Sequence, residues 1–236
     1  MSKNILIIVA NPGVSTTIGT EVGFWASELI HPYDAFIKKG HEVTIASPKG
    51  GKVIPDALSD PRHESGYSES DTLSLRYLED ENFNKKLIST VPISKVSKED
   101  FDAILVAGGQ SPMFTFEEAK NLHRFFSEFY ATEKITAALC HGTAILKWAK
   151  TEDGEPLVKN KKVTGFTNAE ENAVDELMGQ KVMPWRVEDA LTKLGAKFVQ
   201  GDLWEAFAVQ DGNLITGQQQ MSGKKVADLV IKNLES

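Results

Sequence analysis

Asn4 to Ala10 (NILIIVA) is an apolar run without alternation, ended by Asn11-Pro12-Gly13. A strand that offers both faces to protein reads this way, and such strands belong to parallel sheets covered by helices on each side. Three more short runs repeat the theme: Glu42 to Ala46 (EVTIA), Asp102 to Ala107 (DAILVA), which leads into Gly108-Gly109, and Ile135 to Leu139 (ITAAL), which ends at Cys140. Between them the apolar spacing lengthens to that of helices. Glu21 to Lys39 places Phe24, Trp25, Leu29, Ile30, Tyr33 and Phe36 on one face and predicts a helix bent or restarted at Pro32. The first 46 residues thus read as one β-α-β unit with a right-handed crossover. Phe83 to Leu87 is weakly helical, Glu117 to Tyr130 more strongly so, and helical spacing resumes from Gly142 to Lys150.

Lys162 to Phe166 and Lys197 to Val199 are expected as short strands, with a helix at Val187 to Leu194 between them. Leu203 to Val209 and Asn213 to Thr216 suggest a hairpin turned at Asp211-Gly212, and Val226 to Leu234 a last helix. Ser47 to Asp71 has no sustained period and is rich in Gly, Pro and Ser, which at this length suggests a covering or functional excursion. With no linker, repeat or charge block, the expected architecture is one doubly wound α/β domain over residues 1–236.

Composition narrows function. The chain has 236 residues, enough for a complete core without metal or disulfide staples. Lys and Arg number 26 against 33 Asp and Glu, a net charge of −7, which argues against nucleic acid or anionic membrane as partner. A single cysteine excludes an internal disulfide and any CxxC motif. The apolar run from Ile5 is too short to span a membrane and no signal-cleavage pattern follows it, so a cytoplasmic location is expected. Neither GxGxxG, GxxxxGK[ST], HxH nor HExxH occurs, so no cofactor and no metal are expected.

The chemistry concentrates at Ala138-Leu139-Cys140-His141-Gly142, where a buried strand stops at a nucleophile and a helix begins at once. Such an elbow lifts the side chain above the sheet edge and leaves backbone N–H groups beside it. A helix N-terminus would also favour the thiolate, which predicts a depressed pKa for Cys140 and easy oxidation by peroxide. Free cysteines are often small buried hydrophobes, but a strand's carboxyl end is where open α/β sheets place their sites.

The elbow, the segment Ser27-Glu28-Leu29-Ile30-His31-Pro32-Tyr33 and the stretch Gly165-Phe166-Thr167-Asn168-Ala169-Glu170-Glu171 together resemble the DJ-1/PfpI (ThiJ) superfamily, within it the Hsp31-like branch. The likeness runs from the first strand to Leu214-Ile215-Thr216-Gly217-Gln218. It implies a flavodoxin-like sandwich, a homodimer, and a Cys-His-acid site with a glutamate against the cysteine. Carried over residue by residue, Cys140 is the nucleophile, His141 its neighbour, Glu28 the acid–base partner and Glu171 the acid that orients His141. The adjacent Glu170 leaves that last assignment open by one residue. Gly108, Gly109 and Gly142 match the backbone-donor and substrate-binding turns, and Gln110 stands where many relatives carry His.

The implied activity is glutathione-independent glyoxalase III chemistry, methylglyoxal to lactate through a Cys140 hemithioacetal, with deglycase activity beside it. A redox-sensing stress protein or holdase, and a cysteine amidase or peptidase, are the competing expectations. Glu28 separates them, because only moving a proton between adjacent carbons needs an ionisable carboxyl there. By itself a glutamate at that position reads as a capping or surface residue.

Overall fold

The computed structural model describes residues 1–235. The apolar run at the N-terminus forms β1 (Asn4–Ile8), an interior strand of the main sheet with all but its first residue buried. The chain then makes a small ribbon of β2 (Gly13–Val14) against β3 (Glu21–Val22), enters α1 (Ala26–Lys38) and returns as β4 (Glu42–Ser47), parallel to β1. The helix therefore starts five residues later than its periodicity suggested, and it runs through Pro32 without restarting. The residues in front of it are used as extended backbone, because Phe24 pairs with the 51–60 region in place of helical bonds.

Two short helices, α2 (Thr72–Glu79) and α3 (Glu81–Ile88), follow the excursion and lead to β5 (Val91–Pro92). Asp71 and Asp80 cap them by accepting hydrogen bonds from the N–H groups of Ser74 and Phe83. β6 (Ala103–Val106), α4 (Pro112–Thr115), α5 (Lys120–Ala131) and β7 (Ile135–Leu139) come next. After the elbow the chain forms β8 (Lys162–Val163), α6 (Asn168–Met178), α7 (Val187–Lys193) and β9 (Lys197–Phe198). The hairpin β10 (Ala208–Asp211) and β11 (Leu214–Gly217) and the helix α8 (Gly223–Leu234) complete it.

The seven-stranded sheet runs β10-β11-β7-β6-β1-β4-β5, parallel everywhere except at the β10–β11 hairpin. β8 and β9 pair with each other outside it. Alternate residues of each strand face opposite helical layers. Leu6, Ile8, Ile104 and Val106 pack with Leu122, Phe126 and Phe129 of α5. Ile5, Ile7 and Leu105 pack with Leu29, Ile30 and Phe36 of α1 and with Val226 and Val230 of α8. The strand after β1 lies on one side of it and β6 on the other, so the switch in strand order opens a crevice at the carboxyl ends of β1 and β6.

The excursion explains itself through backbone bonds. Phe24 N–H donates to Ile54 O at 3.0 Å, Asp56 N–H to Phe24 O at 2.7 Å, and Ala26 N–H to the Ser59 hydroxyl at 3.0 Å. Residues 54–59 thus supply the partners that the start of α1 lacks, since Trp25 at its N-cap has no side-chain bond to give. Phe126, fully buried between α5 and the sheet, tests the layer that β6 and β7 rest on. Phe126→Ala should lower unfolding free energy by about 3–5 kcal/mol through the cavity it leaves, measured by urea titration.

Candidate active site

β7 ends at Leu139 and the next residue turns back at once: Cys140 has φ +53°, in the left-handed region that costs a non-glycine residue about 1–2 kcal/mol. The turn that follows, Cys140–Lys147, is wound as a 3-10 helix, tighter than the α-helix its spacing suggested. Thr143 donates its hydroxyl to Cys140 O at 2.6 Å and closes that first turn. Gly142 sits where a Cβ would come within 2.8 Å of the Ala107 carbonyl carbon, so only glycine lets this turn press against the end of β6.

Gly108 lies after β6 with the same economy: a Cβ there would come within 2.7 Å of both Glu28 Oε2 and Gly142 N. Its N–H donates to Glu28 Oε2 at 2.8 Å, so this donor serves the carboxyl. Gly109 has φ +104°, and a Cβ on it would lie 2.5 Å from the Phe24 carbonyl carbon. The Gly109 N–H has no partner among the described residues and Gly109 lines the cavity above Cys140. The first N–H groups of the turn after Cys140 are also left over by 3-10 geometry.

α1 carries Glu28 into this crevice, with no exposed surface at all. Burial pushes its carboxyl up to about 8, against the pull of its hydrogen bonds to Cys140 and the Gly108 N–H. At neutral pH Glu28 is therefore a carboxylic acid resting on a thiol. Cys140 is itself pushed well above the ordinary thiol range, first by burial, then by the Glu28 charge and hydrogen bond, while the His141 N–H pulls the other way. That reverses the depressed thiol pKa expected from the sequence. The dipole of a short 3-10 turn does not outweigh full desolvation and a facing carboxyl.

His141 completes the chain of contacts. Its Nδ1 is 4.0 Å from Cys140 Sγ and its Nε2 is 3.1 Å from Glu171 Oε1. With Nε2–H donating to Glu171, the Nδ1 lone pair faces the sulfur. The two neighbouring glutamates part company: Glu170 closes a capping box with Thr167 at the start of α6 and accepts from Gln218 Nε2 at 2.9 Å, whereas Glu171 turns to His141. Arg186 stands behind Glu171, its guanidinium 4.0 Å from Oε2 and 2.7 Å from Asp175. Cys140, His141, Glu28, Glu171 and the three glycines thus meet at one crevice, beneath a cavity of about 70 Å³.

Two contributors were not singled out from the sequence. Asp56, nearly fully buried in the excursion, accepts from Gly23 N–H at 2.7 Å and from Gln110 N–H at 2.6 Å, which clamps the Gly109-Gln110 turn against the entry to α1. Burial raises its carboxyl to about 6 in spite of those bonds. Arg186 is the other. His31, one turn beyond Glu28, pairs with Asp71 at 2.9 Å and pins the end of the excursion to α1.

A model of the DJ-1/PfpI family matches residues 16–233. The chain belongs to the DJ-1/PfpI family. Among its relatives, a glutathione-independent glyoxalase of Saccharomyces cerevisiae is 30% identical over 95% of this chain and 94% of its own. Glyoxalase 3 of Candida albicans is 29% identical over 100% of this chain and 99% of its own. Of solved structures, the Rapid Encystment Protein 24 KDa of Francisella tularensis superposes with a TM-score of 0.88 at 30% identity, over 98% of this chain and 99% of its own. Glyoxalase III of Candida albicans superposes at 0.82 and 28% identity, over 98% and 96%. The parallel sheet with helices on both faces is the flavodoxin-like arrangement of this family.

The Glu28 proton makes a stability prediction for this DJ-1/PfpI member. Between the ordinary value of 4.5 and about 8 the folded chain keeps a proton that the unfolded chain has released, so stability falls as pH rises through that window. Below it both states are protonated and the contribution is fully present. Glu28→Gln has no such proton, so its Tm relative to wild type should climb from about pH 5 to about pH 8 and then level off, by up to about 5 kcal/mol of stability. A second readout concerns the thiol: iodoacetamide should label Cys140 slowly at neutral pH, and in Glu28→Gln the midpoint of labelling should move to lower pH.

Proposed function

We propose that this chain is a cofactor-independent glyoxalase that converts methylglyoxal and water to lactate, a reading supported by relatives named glutathione-independent glyoxalase and glyoxalase 3. The observation that carries this reading is Glu28: a wholly buried carboxyl, protonated near neutrality, in contact with the nucleophile and held by the Gly108 N–H. A cysteine hydrolase needs only the histidine and the oxyanion donors, and an oxidation sensor is poorly served by a buried, protonated thiol.

In this mechanism Cys140 Sγ attacks the aldehyde carbon, a C–S bond forms and the thiol proton passes to His141 Nδ1. Glu171 steadies the resulting imidazolium through Nε2–H. The developing alkoxide sits against the Gly109 N–H and takes a proton from Glu28, leaving a hemithioacetal and a carboxylate. That carboxylate, the conjugate base of a weak acid, removes the hydrogen from the carbon bearing sulfur. The enediolate so formed passes its hydroxyl proton to the neighbouring oxygen, takes the abstracted proton from Glu28 on the neighbouring carbon and becomes a lactoyl thioester, leaving Glu28 again a carboxylate. Water then adds to the thioester carbonyl and gives one proton to the Glu28 carboxylate, the C–S bond breaks and the thiol leaves with the proton held by His141, which restores every group. One aldehyde and one water give one hydroxy acid, with no net change in oxidation level. Each group named comes from a single copy of the chain, so the site needs nothing from the homodimer that the resemblance implies.

Cys140→Ser should fold normally and form no lactate above background, because a hydroxyl is a much weaker acid and a poorer nucleophile than a thiol and does not give up its proton to His141 as readily. Glu28→Gln keeps size and one hydrogen bond but not the proton, so lactate formation should fall about 10²–10⁴-fold. Intact-protein mass spectrometry should still find the aldehyde adduct on its Cys140. A Glu28→Gln variant producing lactate at near wild-type rate would remove the shuttle from the mechanism.

A further inference from the structure

The cavity above Cys140 is chemically two-sided. Cys140, His141, Glu171 and the Gly109-Gln110 turn lie together at the crevice, and Tyr67 and Gln220 add further polar groups to the lining. The opposite wall comes from the far end of α6 and the loop after it: Val174, Leu177, Met178, Val182 and Met183. Val174, Leu177 and Met178 follow helical spacing and share one face. Gly179, at φ +65°, ends the helix, and Asp175 accepts from Val182 N–H at 2.8 Å, which folds the loop back onto the same wall.

The wall reaches solvent: Leu177 is 72% and Met178 41% exposed. Large apolar side chains left open at the mouth of a cleft gain by being covered. No lysine or arginine lines the cavity; Arg186 lies behind Glu171, with Nη2 on Asp175 at 2.7 Å and Nη1 4.0 Å from Glu171 Oε2. An anionic substituent would meet no cation there and would face the Glu171 carboxylate. A hydroxylated one would cover the exposed apolar lip less well than an alkyl or aryl group.

We propose that the α6 wall selects 2-oxoaldehydes whose second substituent is uncharged and apolar, alkyl or aryl, with Leu177 and Met178 as the specificity-determining residues. This rests on the glyoxalase reading and adds the substrate class to it. The aldehyde carbon is held at Cys140 while the substituent on the ketone carbon lies along Val174, Leu177 and Met178.

The test compares kcat/KM of the full-length protein for phenylglyoxal, methylglyoxal, hydroxypyruvaldehyde and the phosphate ester of hydroxypyruvaldehyde. Phenylglyoxal is expected to exceed hydroxypyruvaldehyde by roughly tenfold or more, as apolar pocket contacts typically allow, with the phosphate ester poorest. Leu177→Lys, a change at an exposed position that should not disturb folding, is expected to lower the phenylglyoxal value and raise that of the phosphate ester, so that their ratio falls by at least tenfold. Met178→Ser should lower the ratio of phenylglyoxal to hydroxypyruvaldehyde in the same direction. Comparable values across the four aldehydes, or a ratio that Leu177→Lys leaves unmoved, would overturn the inference while methylglyoxal turnover keeps the glyoxalase reading standing. Absence of turnover on every aldehyde would overturn that reading, and the inference with it.

Discussion

A carboxyl group with no contact to solvent has to be given a proton or a partner, and Glu28 has been given both. The Gly108 N–H takes one oxygen and the Cys140 thiol lies against the carboxyl. The rest of the site is arranged around that contact. Gly108 and Gly142 lack side chains because a Cβ on either would strike the atoms that bring β6, β7 and α1 together. Cys140 accepts a left-handed backbone because only a turn that sharp puts its sulfur over the crevice. Desolvation, which works against a charged thiol, also makes the glutamate both a usable acid and, once deprotonated, a strong base.

The irregular excursion belongs to the same arrangement. Its residues 54–59 satisfy the backbone at the start of α1, and Asp56 joins that backbone to the Gly109-Gln110 turn through two short hydrogen bonds. The helix that carries Glu28 and the loop that carries the Gly109 N–H are thereby held by one side chain. Catalytic geometry of this kind tolerates little displacement, so a segment without regular structure can still be stiff where it matters.

Much of this could be read from the amino-acid order, for a physical reason. Strands buried on both faces leave unbroken apolar runs, and β1, β4, β6 and β7 all stood out by that sign, as did the elbow at the end of β7. Helices α2 and α6 did not, since their apolar faces are small; the Thr167-x-x-Glu170 capping signature was the clue to α6. The glutamate pair could be separated only by the direction of that helix start. Asp56 and Arg186 left no local trace because their importance lies in what they touch across many residues. The thiol's proton affinity was misjudged because charge and dipole are visible in a sequence, whereas depth of burial is not.

Helix α6 is eleven residues long, a rod of about 16 Å. One end is locked by a capping box and aims Glu171 at His141; the other presents Leu177 and Met178 to whatever enters. Because a helix transmits rotation far better than it absorbs it, the two ends are not independent modules. Substitutions that trim or extend side chains at the far end can retune selectivity freely. Any that roll the rod about its axis will also swing the acid away from its histidine. Adaptation to new substrates in this lineage should therefore proceed by exchange of side-chain size at the lip, with insertions and glycines excluded from the three turns behind it.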